Sequence, residues 1–304
     1  MSTQAVDAGR NTSMKPLVWL EIRRFARHPV FLAGVAWCTL VLLITLRKAI
    51  GEPTNDRIGA PGVALFVGLF SVLAGYLLTR SMNDADEILE ATPTPRPTRT
   101  AALCATCAVS ALCATAFGVF GIVSLQVWPM PAWLWGTFNE TDVIVVTAQQ
   151  SVVAAVGGTL LGVAAGRWWR FRGAGLVLLL GLAFWVIAAA TVAALFPDSG
   201  VWPTLARIFS PVTFFQVMET NPDTVDTFSG SPGWHLMWLL ALCALAAVAA
   251  LLHGAEGNVR TRLMRIGPLL LTTAAVFLFL AVTQGPQQVV RSFPDGTTTI
   301  ISAR

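Results

Sequence analysis

Residues 80–100 read RSMNDADEILEATPTPRPTRT, and the whole chain is organised around the two apolar runs that flank this polar stretch. The run before it, 61–79, and the run after it, 101–127, are each close to the ~20 residues that cross ~30 Å of hydrocarbon at 1.5 Å per residue. Five more runs of that kind follow the same pattern, at 30–46, 143–166, 174–196, 234–252 and 266–283. Hydrophobic residues make up 55% of the 304 and charged ones only 12%, where an ordinary soluble domain carries about a quarter charged. The expectation is an all-α integral membrane protein with seven spans.

Orientation is read from lysine and arginine in the connecting segments. Fourteen of the twenty fall on one side. They are Arg10, Lys15, Arg23, Arg24 and Arg27 before the first run, and then three in each even loop (Arg80, Arg96, Arg99; Arg167, Arg170, Arg172; Arg260, Arg262, Arg265). The other six are Arg47, Lys48, Arg57, Arg207, Arg291 and Arg304. This bias predicts a cytoplasmic N-terminus and an outside C-terminus. About 29 polar and amphipathic residues precede the first apolar run, unlike a secretory signal. The net charge of +4 belongs mostly to these topology-setting arginines, so nucleic-acid binding has no support.

The quoted insert carries four carboxylates (Asp84, Asp86, Glu87, Glu90) and three prolines (Pro93, Pro95, Pro97). Ser81 followed by Asp84 has capping-box spacing, which predicts a short helix ended by Pro93. Met82, Ala85, Ile88 and Leu89 then fill one arc and the acids the other. An acidic face is repelled by an anionic leaflet and fits a groove on a protein. Two alternatives stay open: the second span runs on unbroken to Ala91 as a stalk, or the cluster is simply a solvated loop. TPTPRPT supplies a stiff link to the third span.

Upstream, 15–29 reads as an amphipathic helix that starts at Pro16 and stops at Pro29. Val18, Trp19, Ile22, Phe25 and Ala26 share one face, with Glu21, Arg23, Arg24, Arg27 and His28 opposite. It suits the inner membrane interface, or it is a positive topology signal alone. Residues 1–14 read as disordered. In the fourth run Gly158, Gly162 and Gly166 recur every four residues, with Ala154 extending the stripe, so another helix can approach closely. Gln149 and Gln150 near its outer end are amides that want partners in hydrocarbon, as interhelical ties or as candidates for a substrate pathway. The outer segment WPTLARIFSPVTFFQVMET (202–220) is too apolar for a loop and too broken by Pro203 and Pro211 to span, so an interfacial or re-entrant helical hairpin is expected.

Chemical motifs are sparse. No predicted span holds Asp, Glu, Lys or Arg in its interior, which disfavours ion-coupled transport. The two lysines, Lys15 and Lys48, lie outside any G-x-x-x-x-G-K-[ST], and the three histidines form no zinc constellation. Cys104-x-x-Cys107 has metal-ligand spacing without a second pair, and the five cysteines read as small apolar helix residues. The expectation is no enzyme activity, no metal site and no cofactor bound by this chain.

LEIRRFARHPVFL (20–32) leading into the first span, DADEILEATPTPRPTRTAAL (84–103) between the second and third, an amphipathic hairpin before the sixth, and PGWHLMWLLAL (232–242) opening the sixth resemble the permease subunits of type-2 ATP-binding-cassette transporters, particularly those of actinobacteria. The resemblance covers about residues 15–252. It implies a six-helix exporter-type core at 30–252 in a bacterial plasma membrane, paired with a second permease subunit, as homo- or heterodimer, and with cytoplasmic ATPase subunits that hold ATP and magnesium. It places the ATPase-coupling surface at Trp19, Glu21, Arg23, Arg24 and Phe25 and at Asp84, Glu87, Leu89, Glu90 and Pro93. It places the extracellular gate at 202–218, with Trp202, Leu205, Phe209, Phe214 and Phe215. The loop and seventh span at 253–283 and the outside tail at 284–304 stand apart from that core. A membrane sensor or scaffold, whose insert docks a regulator, is the alternative.

Overall fold

The computed structural model describes residues 4–51, 63–85, 94–127, 133, 136–169, 171, 173–195, 201–213, 215–218 and 224–301. The expected coupling residues Glu87, Leu89, Glu90 and Pro93 and the gate residue Phe214 lie outside them. Among the described residues, six helical stretches are long and apolar enough to cross a membrane: Pro29–Arg47, Leu65–Asp84, Arg96–Ser124, Glu140–Trp168, Pro232–Leu252 and Gly257–Thr283. The protein is a multi-pass helical membrane protein.

In chain order the elements are α1 (Gln4–Ala26), α2 (Pro29–Gly51), α3 (Leu65–Asp84), α4 (Arg96–Ala105), α5 (Cys107–Val127), α6 (Glu140–Ala148), a π-helical turn (Gln149–Val153), α7 (Ala154–Trp168), α8 (Ala174–Leu195), α9 (Val201–Ile208), β1 (Gln216–Met218), β2 (Val225–Thr227), α10 (Pro232–Leu252), α11 (Gly257–Thr283), β3 (Val289–Ser292) and β4 (Thr298–Ile301). The helices run back and forth. One end of the bundle gathers the basic residues around 23–29, 80–99, 167 and 257–265, and the other carries the strands.

The body of the fold is the pair α3 and α7, which has the most extensive helix contact in the protein. Gly158, Gly162 and Gly166 of α7 lie directly against the α3 backbone. A Cβ on Gly158 or Gly162 would collide with the carbonyl oxygens of Gly68 and Val72, and one on Gly166 would sit 2.6 Å from the Cβ of Thr79. The notch is mutual: a Cβ on Gly68 would fall 2.7 Å from the Ala154 carbonyl oxygen, and one on Gly75 2.9 Å from that of Thr159. Between lipid-solvated helices, where apolar burial supplies little drive, such backbone proximity supplies the dispersion contacts. Ser110 of α5 joins the pair by bonding Thr159 Oγ1 at 2.7 Å and the Ala155 carbonyl at 3.2 Å.

Several elements differ from the sequence expectation. α1 begins at Gln4, within the segment expected to be disordered, and Pro16 sits inside it rather than at its start. A proline there costs one intrahelical bond, and Gly9, Asn11, Thr12 and Ser13 before it are weak helix formers, so local propensity gave no sign of these turns. Ser81 caps nothing: α3 passes through it to Asp84, and its hydroxyl bonds the Leu78 carbonyl at 2.9 Å within the helix. The third run divides into α4 and α5 at Thr106, whose hydroxyl bonds the Leu103 carbonyl at 2.6 Å.

The largest difference is at the end that carries the strands, where the expected helical hairpin is one short helix, α9, followed by strands. β1, β2, β3 and β4 form an antiparallel sheet in that order. The segment expected as a separate tail therefore supplies half of it. Its junction is set by Arg291, which grips the buried Asp226 carboxylate with two bonds of 2.8 Å across the β2–β3 pairing, a bidentate geometry. Gly285, at φ +118, and Gly230, at φ +105, meet backbone to backbone, and Gly230 donates to the Pro286 carbonyl at 2.8 Å. α11 packs along α10, so the last span and the tail belong to the same body as the core.

Replacing Gly162 by leucine forces α7 off α3, and overpacking of this kind costs about 3 kcal/mol. Thermal unfolding in detergent should show a clear drop in midpoint for Gly162→Leu, and a smaller one for Gly181→Leu on α8, where an added Cβ meets nothing within 4 Å.

Candidate functional site

Two polar clusters stand at opposite ends of the helix that starts at the π turn and ends as α7. At the basic end, Arg167 is buried and its Nη1 donates to Asn83 Oδ1 at 2.6 Å, while Asn83 Nδ2 donates to the Gly166 carbonyl at 2.8 Å. Arg167 Nη2 also reaches Met82 Sδ at 3.2 Å. This reciprocal clamp ties the last turn of α3, where the acidic insert begins, to the last turn of α7. Trp168 extends it to α10 by donating to the Ala249 carbonyl at 2.8 Å, with its ring 5.1 Å from that of His253.

Beside the clamp lies α1, packed across α4. Its buried side is Glu21 and Phe25, four residues apart, 2% and 0% exposed. Phe25 meets Phe31 in a tilted contact with ring centres 4.9 Å apart, and the Glu21 carboxylate receives Arg24 Nη1 at 2.9 and 3.2 Å. These two expected coupling residues are therefore internal, on the side of the helix turned into the protein. Trp19, 67% exposed, and Leu20, Arg23 and Arg24 form the outward face. Burial, with Arg24 beside it, holds the His28 imidazole below its usual range at the α1–α2 corner. Asp84 is exposed and lies 3.9 Å from Arg80 on the same helix.

At the end that carries the strands the cluster is a larger knot, almost wholly buried. Gln149 Nε2 donates to the Pro232 carbonyl at 2.5 Å, and its Oε1 faces His235 Nδ1 at 3.2 Å. The other ring nitrogen of His235 faces the Ser210 carbonyl at 3.2 Å. Gln150 Nε2 reaches the Thr213 carbonyl at 3.4 Å. Thr213 Oγ1 donates to the Arg207 carbonyl at 2.7 Å, the Arg207 guanidinium donates to the Ser229 carbonyl, and Ser229 Oγ meets Thr204 Oγ1 at 2.7 Å. Phe215 and Phe228 sandwich Arg207, their ring centres 5.3 and 5.2 Å from its Cζ, a cation–π arrangement. Burial pulls the guanidinium down to about 9, which leaves it a cation at neutral pH.

The π turn places this cluster. It adds a residue to one turn, so Gln149 and Gln150 are both buried and both bond elements at the end that carries the strands. Expected as interhelical ties or as candidates for a substrate pathway, the two amides bond the main-chain carbonyls of Pro232 and Thr213, and Gln149 also faces His235. Of the expected gate residues, Phe215 is buried in the knot, 5.7 Å from His235. Phe209 stands 5.2 Å from Trp185 and 5.9 Å from Trp238. Leu205 packs on the Ile208, Ala281 and Val282 cluster, and Trp202 is exposed. Arg207 and His235 are the residues that sequence reasoning passed over as parts of the site. The signal for Arg207 was present, a lone cation in a segment rich in aromatics.

Among the described residues no group of three His, Cys, Asp or Glu side chains gathers where a metal ion could sit. The chain matches no family model, no curated protein and no solved structure.

Gln149→Leu leaves the Pro232 carbonyl without its bond and His235 without its amide partner, so it should destabilise the protein by about 1–3 kcal/mol. Gln150→Leu breaks a longer contact and should cost less. Detergent thermal melts of the two variants rank them, and equal midpoints would contradict the assignment.

Proposed function

We propose that this chain is the membrane-spanning permease subunit of an ATP-driven transporter of a bacterial plasma membrane, with its basic end in the cytoplasm. It pairs with a second permease subunit and with a separate ATPase that holds ATP and magnesium, and it works as an exporter. What supports this reading is the Asn83–Arg167 clamp: it anchors the start of the acidic insert to α7 at the same end as the outward face of α1. Asp84, the described start of the second segment that the family resemblance assigns to the ATPase, thus shares one end of the bundle with α1.

In this reading, nucleotide-driven closure of the ATPase presses on the insert and on Trp19, Arg23 and Arg24. The clamp hands the displacement to α7, whose glycine contacts keep it in step with α3. About 18 residues of helix from Gln149 to Gly166 carry the displacement over ~27 Å to the outer knot. There Gln149 pulls on the start of α10 and, through His235, on the segment after α9. Motion then takes the form of a rigid-body shift of packed elements.

Purification from native membranes in mild detergent should bring down a nucleotide-hydrolysing subunit in fixed ratio. Recovery of a kinase or a transcription factor instead would favour a membrane sensor or scaffold. Asn83→Ala should leave that assembly intact and ATP hydrolysis running, while transport into vesicles falls by about tenfold, the size of an ordinary coupling energy. Full transport in Asn83→Ala would remove the clamp from the mechanism.

A further inference from the structure

A cavity of about 670 Å³ lies inside the single chain, between α3, α7, α8 and α10. Its walls include Phe66, Leu161, Trp185, Val212, Leu242 and Ala246, and every residue lining it is Ala, Val, Leu, Ile, Phe, Trp, Pro, Gly or Cys. The lining side chains include no hydroxyl, amide or charge, and only the Trp185 indole and the Cys243 thiol carry a polar group, so water entering would find fewer partners than a buried water needs. The volume is in the range of sites for small molecules.

The shape narrows the chemistry further. Along α10 the lining runs from Leu239 to Ala249, and along the π turn and α7 from Val153 to Ala164. At 1.5 Å per residue both walls are ~15 Å long, half of the ~30 Å hydrocarbon core. The cavity is a slot parallel to the helices and one leaflet deep. Pro211 and Val212 line its outer end, just beyond the knot residue Ser210. Phe209, wedged between Trp185 of α8 and Trp238 of α10, joins those two walls at the same end. Gly157 adds no side chain where α7 faces Cys243 of α10.

We infer that this slot binds one acyl chain of a bilayer lipid, lying along α7 and entering from the membrane between α8 and α10. An alkyl chain matches the slot in length and in its lack of hydrogen-bonding groups. A polar solute would lose its hydration there without replacement. The site is complete within one subunit, and the inference stands without the ATPase partner.

The test uses wild-type protein in phosphatidylethanolamine vesicles containing phosphatidylglycerol with a diazirine on one acyl chain. Photolabelled residues are mapped by mass spectrometry, with Leu112 on α5, 75% exposed, as the reference for bulk lipid. Label is expected on Trp185, Leu242 and Ala246. Added unlabelled palmitic acid should compete it away saturably, while label on Leu112 falls only by dilution. Ala246→Trp, which fills the slot, should lower label on Trp185 and Leu242 by about tenfold relative to Leu112. Should Ala246→Trp fail to fold, the competition in wild type decides alone. Cavity label that tracks Leu112 under competition means passing bulk lipid and overturns the inference. So does competition by a polar solute such as glucose in place of palmitic acid.

Discussion

The constraint on which the rest depends is the contact of two helix backbones, α3 and α7, with nothing between them but glycine and small side chains. Because Gly158, Gly162 and Gly166 face the carbonyls and Thr79 of α3, the pair has little room to slide or splay. Everything polar that matters is then hung on its two ends. Asn83 and Arg167 close the basic end, and Gln149 opens the other with the π turn that aims it. A close-packed rod held by hydrogen bonds at both ends moves as a unit, which is what a linkage between two distant surfaces requires.

The cap of strands at the other end follows from the same economy. Strands of three and four residues are too short to hold together alone, and the sheet exists because β2 and β3 share the Asp226–Arg291 pair and because Gly230 and Gly285 let two turns touch. Arg207 sits beneath it among Phe215, Phe228 and the Ser229 carbonyl, tying α9 to the segment that leads into α10. The last span is therefore a structural member of the cap as well as of the bundle.

Much of the membrane body was legible in the sequence. Apolar length predicts spans, and a four-residue stripe of glycine predicts a close helix contact, because both depend on local spacing alone. The basic end was legible too, since Arg23, Arg80, Arg96, Arg167 and Arg260 all come to it. The sheet was not, because QVM and VDT are too short to show alternation, and β3, which pairs with VDT on its other side, lies more than sixty residues further on. Glu21 and Phe25 read as members of opposite faces, yet they share the buried side of α1. Gln149 was visible as an amide wanting a partner, but its pairing with His235 is a tertiary fact. The apolar slot leaves no trace in sequence, being a gap between helices that each look ordinary.

The account rests on the basic end facing the cell interior and the sheet facing out. In a chain with its five native cysteines replaced, Ser81→Cys is exposed at the basic end and Ile300→Cys at the sheet. A membrane-impermeant maleimide should label Ile300→Cys in intact cells and Ser81→Cys only in inside-out vesicles. Labelling of Ser81→Cys in intact cells would contradict it.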